Sequence, residues 1–167
     1  NTLWRLYDKK EISKSELRIQ RLPAVFASFQ FKNEKLARQM EELYLSICPY
    51  KPHLIEGSIE LLTHFQSKNL PLHLLTNGFK DIQYNKIRAS KIGEYFDIIA
   101  TSECSGYSKP DKRAYLYLLN QIKADPDECL MIGDNLLSDI EGSLALGMQN
   151  IFFNPEKIVH QAKPTYE

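Results

Sequence analysis

The hydrophobic positions of this sequence follow a helical period in its first third. Between residues 1 and about 50, apolar side chains recur three or four positions apart, which places them on one face of an α-helix. One such stripe consists of Leu36, Met40, Leu43, Tyr44 and Ile47. Ser13 followed by Glu16 is typical of a capping box and predicts the start of another helix. We expect the stripe to pack as helix core, and Pro49 and Pro52 to close the region.

From residue 53 onward, the pattern changes to short apolar runs that alternate with amphipathic stretches. The runs predict four buried strands, at residues 70–75, 96–100, 129–132 and 150–153. The stretches predict helices at residues 59–66, 82–90, 110–122 and 137–146. This alternation predicts an α/β fold, a doubly wound parallel sheet with helices on both faces. The predicted domains are a helical segment over residues 1–52 and a Rossmann-type core over residues 53–167.

Composition and charge narrow the range of partners. The chain has 167 residues, with 21 Lys and Arg against 21 Asp and Glu, so its formal net charge is zero. This balance gives no reason to expect binding to nucleic acid or to a membrane surface, and the apolar runs are too short to span a bilayer. Three widely spaced cysteines without a CxxC motif favour a reduced, cytoplasmic setting. Any anion that the protein binds must therefore be held by a few placed groups and not by a bulk charge; the sequence does not indicate an oligomeric state.

Polar groups suited to phosphate chemistry follow two of the predicted strands. The first strand ends in Thr76-Asn77-Gly78, where a hydroxyl and backbone N–H groups can hold a phosphate oxygen. The second leads into a loop that ends at Lys109, whose ammonium can neutralise a bound phosphate. Because the carboxyl ends of parallel strands meet at one edge of a sheet, we expect these groups to lie together. Taken singly, the first is also an ordinary turn and the second an ordinary surface lysine.

Two carboxylates follow the third predicted strand. Asp134 comes directly after Gly133 at the strand end, and Asp139 lies five residues further on. Carboxylates so placed can hold Mg²⁺ through direct and water-mediated contacts. Alternatively, Asp134 is a helix N-cap and Asp139 a solvated helix residue. The order of hydroxyl, lysine and acidic pair, each after a successive strand, favours a phosphate-binding and metal-binding site over four unrelated surface groups.

This ordered set resembles the haloacid dehalogenase superfamily. The second motif of that superfamily is matched by Thr76 in the run Leu-Leu-Thr-Asn-Gly, the third by Lys109 before Pro110, and the fourth by Asp134 and Asp139. The resemblance covers roughly residues 53–160. It implies a Mg²⁺-dependent phosphomonoester hydrolase that acts through an aspartyl-phosphate, with Asp134 holding the metal and Asp139 in support.

The same resemblance implies roles for the other residues. Thr76 and the backbone of Asn77 and Gly78 would bind the transferring phosphoryl group. Lys109 would bridge the phosphate and the nucleophile. A cap would close over the site, exclude water and select the leaving group.

The N-terminal region resembles one branch of the superfamily more closely. The runs at residues 1–4, 12–18 and 77–79, Asn-Thr-Leu-Trp, Ile-Ser-Lys-Ser-Glu-Leu-Arg and Asn-Gly-Phe, are similar to the pyrimidine-type 5′-nucleotidases. In that branch a helical cap is inserted after the first motif, so residues 1–52 would be part of that cap. The implied substrate is a nucleoside 5′-monophosphate.

The first motif of the superfamily, an apolar strand followed by Asp-x-Asp, has no counterpart before residue 53. The only Asp-x-Asp, at Asp125-Pro126-Asp127, precedes a predicted strand and is interpreted as a loop. The resemblance places the missing strand centrally, where each unpaired buried backbone group costs on the order of 1–3 kcal/mol. We therefore expect this segment alone to be unstable and inactive, and the protein to be longer. The alternative is that the chain is the whole protein and that another element, such as a strand from a partner, fills the gap.

Three alternatives stay open at this point. The protein is another capped phosphatase, for phosphoglycolate or a sugar phosphate; or a haloacid dehalogenase, which needs no Mg²⁺; or a binding domain that has lost its first motif. The four histidines show no metal-ligand spacing, so no zinc site is predicted.

Overall fold

The computed structural model describes residues 2–167. Asn1, the first residue of the N-terminal motif and of the predicted cap, lies outside the described residues. The chain forms two compact units, one of residues up to Ser58 with Asp81–Gly93, the other of Ile59–Lys80 with Glu94–Glu167. The predicted domain boundary at residue 52 stays a prediction.

The helices and strands alternate largely as the hydrophobic pattern predicts. In chain order they are α1 (Thr2–Asp8), α2 (Lys14–Ser28), α3 (Glu34–Ile47), α4 (Ser58–Ser67), β1 (His73–Thr76), α5 (Lys80–Ala89), β2 (Ile98–Thr101), α6 (Ser102–Ser105), α7 (Lys112–Ile122), β3 (Leu130–Gly133), a π-helical segment (Leu136–Glu141), α8 (Gly142–Leu144) and β4 (Gln149–Phe152). Short 3₁₀ turns lie at Cys48–Tyr50, Gly93–Tyr95 and Pro126–Glu128. None of the helices within residues 2–167 has both the length and the hydrophobicity needed to cross a bilayer.

The capping box at the start of α2 is confirmed. The Ser13 backbone N–H donates to Glu16 Oε2 at 2.7 Å, and the Glu16 backbone N–H donates to Ser13 Oγ at 3.2 Å. Asn33 caps α3 in the same way, because its Oδ1 accepts from the Leu36 backbone N–H at 2.9 Å. These side chains pair backbone donors that a helix leaves without partners at its first turn.

The predicted packing face of α3 is wrong. The stripe Leu36, Met40, Leu43, Tyr44 and Ile47 is more than one-third exposed at every position. The face of α3 that is buried carries Ala37 and Glu41. Glu41 tolerates burial because both of its carboxylate oxygens accept hydrogen bonds from Arg21 Nη2, at 2.9 and 3.0 Å. The ion pair of Arg21 with Glu41 therefore links α2 to α3.

The prediction of an α/β fold with parallel strands is confirmed. β1 pairs in parallel with β2, with Thr76 opposite Thr101, and β3 pairs in parallel with β4, with Gly133 opposite Phe152. Within the described residues the strands form two separate two-stranded sheets. Ile132 of β3 is 40% exposed. The expectation that a further strand lies between β1 and β3 stays a prediction.

Three of the four strands begin later than the apolar runs that predict them, whereas β4 begins one residue earlier. β1 begins at His73 although its run begins at Leu70, and Pro71 lies between the two. Proline has no backbone N–H to donate to a neighbouring strand. Near the C-terminus, Tyr166 forms an isolated parallel β-bridge with Ile151 of β4.

The core of the second unit packs against residues of both strand pairs. Its buried centre is formed by Tyr115 and Leu119 of α7 and by Met148, and Leu75 of β1 and Met131 of β3 pack against it. This cluster joins α7 to both strand pairs, so α7 supports the strand ends at which the candidate site lies.

Candidate functional site

The Lys109 ammonium joins the two strand pairs. Its Nζ donates to the backbone carbonyl of Leu75, in β1, at 2.8 Å and to Asp139 Oδ1, in the π-helical segment after β3, at 2.7 Å. Both side chains are buried, with 8% of Lys109 and 7% of Asp139 exposed. The alternatives of a surface lysine and a solvated helix carboxylate are therefore wrong for this pair.

Asp139 receives two more hydrogen bonds from its own segment. Ser138 Oγ donates to Asp139 Oδ1 at 3.0 Å, and the Asn135 backbone N–H donates to Asp139 Oδ2 at 3.1 Å. Together with Lys109, these donors hold a buried carboxylate that would otherwise be costly. The helix predicted over residues 137–146 begins instead with the π-helical turns of Leu136–Glu141. Such turns are rare and are frequently found at functional sites.

Gly133 makes room for this carboxylate. A Cβ added at Gly133 would lie within 2.6 Å of Asp139 Cγ, closer than any real contact of that kind. The residue that ends β3 therefore has to be glycine for Asp139 to reach Lys109.

The Asn77 side chain holds the backbone of Lys109. Its Nδ2 donates to the Lys109 carbonyl at 2.8 Å, and its Oδ1 accepts from the Lys109 N–H at 2.7 Å. The Ser102 hydroxyl donates to the Asn77 carbonyl at 3.1 Å. The Lys109–Pro110 peptide, which is cis, follows this contact. The side chain of Asn77 thus positions Lys109, while the phosphate-binding role predicted for its backbone stays a prediction.

Thr76 and Gly78 form a tight turn at the end of β1. The Gly78 N–H donates to Thr76 Oγ1 at 3.1 Å, so the hydroxyl oxygen is an acceptor within the turn. A hydroxyl that accepts one hydrogen bond still carries a proton to donate. Its position next to Leu75, whose carbonyl accepts from Lys109, brings the predicted phosphate-binding groups to one strand end.

Asp134 differs from Asp139 in its exposure. It is exposed at the end of β3, and within residues 2–167 its carboxylate makes no hydrogen bond or ion pair. The alternative that Asp134 is a helix N-cap is wrong, because the N-cap of the following segment is Asn135. Mg²⁺ takes oxygen ligands and often binds through one or two carboxylates, waters and substrate phosphate. Asp134 fits such a ligand, whereas both oxygens of Asp139 already accept hydrogen bonds. Within the described residues, no three His, Cys, Asp or Glu side chains form a metal cluster.

The Asp-x-Asp run at Asp125 is confirmed as a loop. Pro126–Glu128 is a 3₁₀ turn before β3, and the Asp125 N–H donates to Glu128 Oε2 at 2.9 Å. The run therefore lies at the amino end of β3, not at the carboxyl end where Asp134 lies.

Sequence reasoning missed two residues that support the site. The hydroxyl of Tyr115 donates to the carbonyl of Ser138, next to Asp139. Glu103 Oε2 accepts from the Lys80 backbone N–H at 2.5 Å, close after the Thr76–Gly78 turn. A tyrosine among the apolar positions of a predicted helix is a usable signal, because a buried phenol needs a hydrogen-bond partner. No comparable signal in the sequence marks Glu103.

The fold and the site define an α/β enzyme whose polar groups gather at the carboxyl ends of parallel strands. The family model of the haloacid dehalogenase-like hydrolases matches residues 8–147. The chain belongs to this family, as its motifs at Thr76, Lys109 and Asp134 predict.

Curated relatives match nearly the whole chain. It is 32% identical to the pyrimidine 5′-nucleotidase PynA of Streptococcus pneumoniae over 99% of this chain and 70% of the relative. It is 28% identical to the pyrimidine 5′-nucleotidase YjjG of Escherichia coli over 97% of this chain and 69% of the relative. The crystal structure of the HAD-hydrolase YfnB from Bacillus subtilis, bound to magnesium, superposes with a TM-score of 0.84 at 28% identity, over 99% of this chain and 72% of that one.

Proposed function

We propose that this protein is a Mg²⁺-dependent phosphomonoester hydrolase that acts through an aspartyl-phosphate, with a nucleoside 5′-monophosphate as substrate. One observation carries the proposal: a buried lysine, fixed by Leu75 and Asp139, lies at the strand end that also bears the Thr76 turn. A fixed positive charge beside a hydroxyl and backbone N–H groups suits a phosphoryl group that gains negative charge in the transition state.

The Lys109 ammonium retains a donor for the substrate. An ammonium has three N–H groups, and within the described residues two of them donate, to Leu75 and to Asp139. The third is the group that we assign to the phosphoryl oxygen. Because Asn77 fixes the Lys109 backbone and Asp139 fixes its ammonium, the charge needs little reorganisation during the reaction.

Thr76 and Gly78 would complete the phosphate cradle. The Thr76 hydroxyl accepts from Gly78 and keeps its own proton for a phosphoryl oxygen. Asp134 would hold Mg²⁺, which neutralises charge on the phosphoryl group when bound. Asp139 would act through Lys109 and not as an open ligand. The nucleophilic and acid/base aspartates of this mechanism are not assigned to residues of this chain.

The substrate class rests on the relatives. Two curated relatives that match at least 97% of this chain are named pyrimidine 5′-nucleotidases, and a solved relative is described as bound to magnesium. These names support a nucleoside 5′-monophosphate, with a pyrimidine base, as the substrate and Mg²⁺ as the cofactor.

A substrate panel on the full-length protein tests the proposal. It comprises pyrimidine and purine 5′-monophosphates, phosphoglycolate, a sugar phosphate and a 2-haloacid, each with Mg²⁺ and with EDTA. We expect Mg²⁺-dependent phosphate release, fastest from pyrimidine 5′-monophosphates. A Lys109→Gln preparation, purified identically, serves as the control for contaminating phosphatases.

Each other pattern of activity contradicts part of the proposal. Preference for phosphoglycolate or the sugar phosphate would replace the substrate class and keep the reaction. Metal-independent release of halide, or nucleotide binding without turnover, would overturn the reaction itself.

A further inference from the structure

Tyr115 buries a hydroxyl in a place where an apolar ring would suffice. Its side chain is 1% exposed and lies at the centre of the core with Leu119 and Met148. A buried hydroxyl is costly unless it is hydrogen-bonded. The Tyr115 hydroxyl donates to the backbone carbonyl of Ser138. The identity of this partner therefore indicates what the hydroxyl does.

Ser138 connects Tyr115, in the core, to Asp139 through hydrogen bonds. Its own hydroxyl donates to Asp139 Oδ1, and its N–H donates to Asn135 Oδ1 at 2.8 Å. The bond from Tyr115 thus fixes the carbonyl of the peptide that leads directly into Asp139. Ser138 lies within the π-helical segment Leu136–Glu141, a rare backbone conformation, and Tyr115 ties this segment to α7.

The ring also adjoins the segment that carries Lys109. A Cβ added at Gly142 would lie 3.0 Å from Tyr115 Cζ and 3.2 Å from Pro110 Cβ. The hydroxyl end of Tyr115 and Pro110 therefore border the same narrow space, between the turn after β3 and the start of α7. Burial, and after it the charge of Asp139, raises the pKa of Tyr115. The phenol consequently stays protonated and remains a donor at neutral pH.

We infer that Tyr115 is a positioning residue whose hydroxyl holds the Ser138–Asp139 peptide so that the Asp139 carboxylate stays on Lys109 Nζ. This inference rests on the proposed function for its catalytic consequence. Its structural part, the alignment of Lys109 with Asp139, does not depend on the substrate.

Tyr115→Phe in the full-length protein tests the inference, with Tyr117→Phe as the matched control. Tyr117 lies on the same helix, and within residues 2–167 its hydroxyl makes no hydrogen bond. With a pyrimidine 5′-monophosphate, we expect Tyr115→Phe to lower kcat about threefold to tenfold with KM unchanged, because the lost alignment matters mainly in the transition state. Tyr117→Phe should keep both constants.

A spectroscopic readout separates positioning from stability. In protein with ¹⁵N-labelled lysine, the Lys109 ammonium should exchange slowly with water, because it is buried and makes two hydrogen bonds; loss of the signal in Lys109→Arg assigns it. We expect the signal to broaden or vanish in Tyr115→Phe and to persist in Tyr117→Phe. This result would support positioning even if no phosphatase activity were found, in which case the proposed function alone fails.

A second variant retains the donor. With 4-aminophenylalanine at position 115, an N–H replaces the O–H, and we expect kcat and the Lys109 signal to return toward the values of the unaltered protein. Three results would each overturn the inference: no recovery in this variant, an unchanged Lys109 signal in Tyr115→Phe, or a loss of thermal stability in Tyr115→Phe with kcat preserved.

Discussion

Lys109 and Asp139 form a buried ion pair, 2.7 Å from nitrogen to oxygen, that links the end of β1 to the turn after β3. Each charge is paired and makes further hydrogen bonds, which is the condition for tolerating a buried ion pair. Since the same ammonium is the proposed phosphate ligand, the proposal gives the pair a role in chemistry as well as in folding.

Removal of both partners of this pair should cost less stability than the two single removals added together. Lys109→Met leaves the Asp139 carboxylate buried without its counter-charge and should lower the free energy of unfolding by about 3–5 kcal/mol. Lys109→Met combined with Asp139→Leu should cost less than the two single changes added together. Urea unfolding of the full-length protein and its three variants measures this coupling.

An exposed ion pair in the same unit provides the control. Arg113 and Asp111 lie 2.6 Å apart, with 56% of the Arg113 side chain exposed. Arg113→Met should cost much less than Lys109→Met, because water screens exposed pairs. Costs that simply add for Lys109 and Asp139, or that match the Arg113 variant, would show that the buried pair is not coupled as the structure indicates.

Replacement of Asp134 should raise the Mg²⁺ concentration that the enzyme requires and leave the stability of the fold unchanged. Asp134→Asn removes an exposed carboxylate that is the proposed Mg²⁺ ligand, so the Mg²⁺ concentration for half-maximal activity should rise at least on the order of tenfold. Thermal unfolding without metal should stay within about 0.5 kcal/mol of the unaltered protein. Asp97→Asn, an exposed carboxylate that directly precedes β2, is the control for both measurements. An unchanged Mg²⁺ requirement in Asp134→Asn would remove Asp134 from the metal site.

The sequence predicts the elements better than it predicts their assembly. Helical and strand periods are local, and the capping box at Ser13 and all four strands appear close to the predicted positions. The exposure of the stripe that includes Leu43 depends on which helix faces meet, and this is not encoded in the spacing of one helix. The separation of the strands into two pairs likewise depends on contacts distant in sequence.

The site also combines features that the local sequence predicts with features that depend on contacts distant in sequence. Thr76, Lys109 and Asp134 are recognisable because they follow apolar strands, whose carboxyl ends meet in space. The burial of Asp139 and the π-helical turn around it had no local signal, because both depend on Gly133, Lys109 and Tyr115 acting together. Likewise, the pairing of the Asn77 side chain with the Lys109 backbone joins residues 32 positions apart.

Asn77→Asp should disturb the backbone position of Lys109 without altering the Lys109 side chain. The change preserves the acceptor for the Lys109 N–H but replaces the donor to the Lys109 carbonyl with a second acceptor. We expect a loss of about 1–3 kcal/mol in the free energy of unfolding and a fall of about tenfold in kcat, equal to about 1.4 kcal/mol. Asn120→Asp, at an exposed position of α7, is the control and should change neither quantity. Normal kcat in Asn77→Asp would contradict the positioning role.

Gly133→Ala should displace the carboxylate that pairs with Lys109. The new Cβ would lie within 2.6 Å of Asp139 Cγ, so the turn has to move. We expect a loss of about 1–3 kcal/mol in the free energy of unfolding, as in other overpacked sites, and a lower kcat. In Gly93→Ala the Cβ approaches only Ile87 Cγ2, at 3.3 Å, so that variant should be milder in stability and normal in kcat. Equal effects of the two variants would contradict the crowding argument.

Asp81 should make the stability of the first unit depend on pH in the acid range. Burial raises the pKa of this carboxyl, but hydrogen bonds from Arg18 and Lys14, at 2.9 Å each, outweigh burial and lower the pKa to about 2. The unfolded value is about 3.9. Because the folded pKa is the lower one, the stabilisation is fully present above about pH 4 and is lost as the pH falls toward 2.

Asp81→Asn isolates that contribution. The side chain is 48% exposed, so we expect the variant to lose less than about 1 kcal/mol in the free energy of unfolding at pH 7. The difference from the unaltered protein should shrink between pH 4 and pH 2, because the unaltered carboxylate also becomes neutral there. Urea unfolding at pH 7, 4 and 2 measures it, and Asp8→Asn, an exposed carboxylate of α1, should show no comparable loss. A difference that is the same at all three pH values would mean that the contacts of Asp81 with Lys14 and Arg18 do not stabilise the fold through charge.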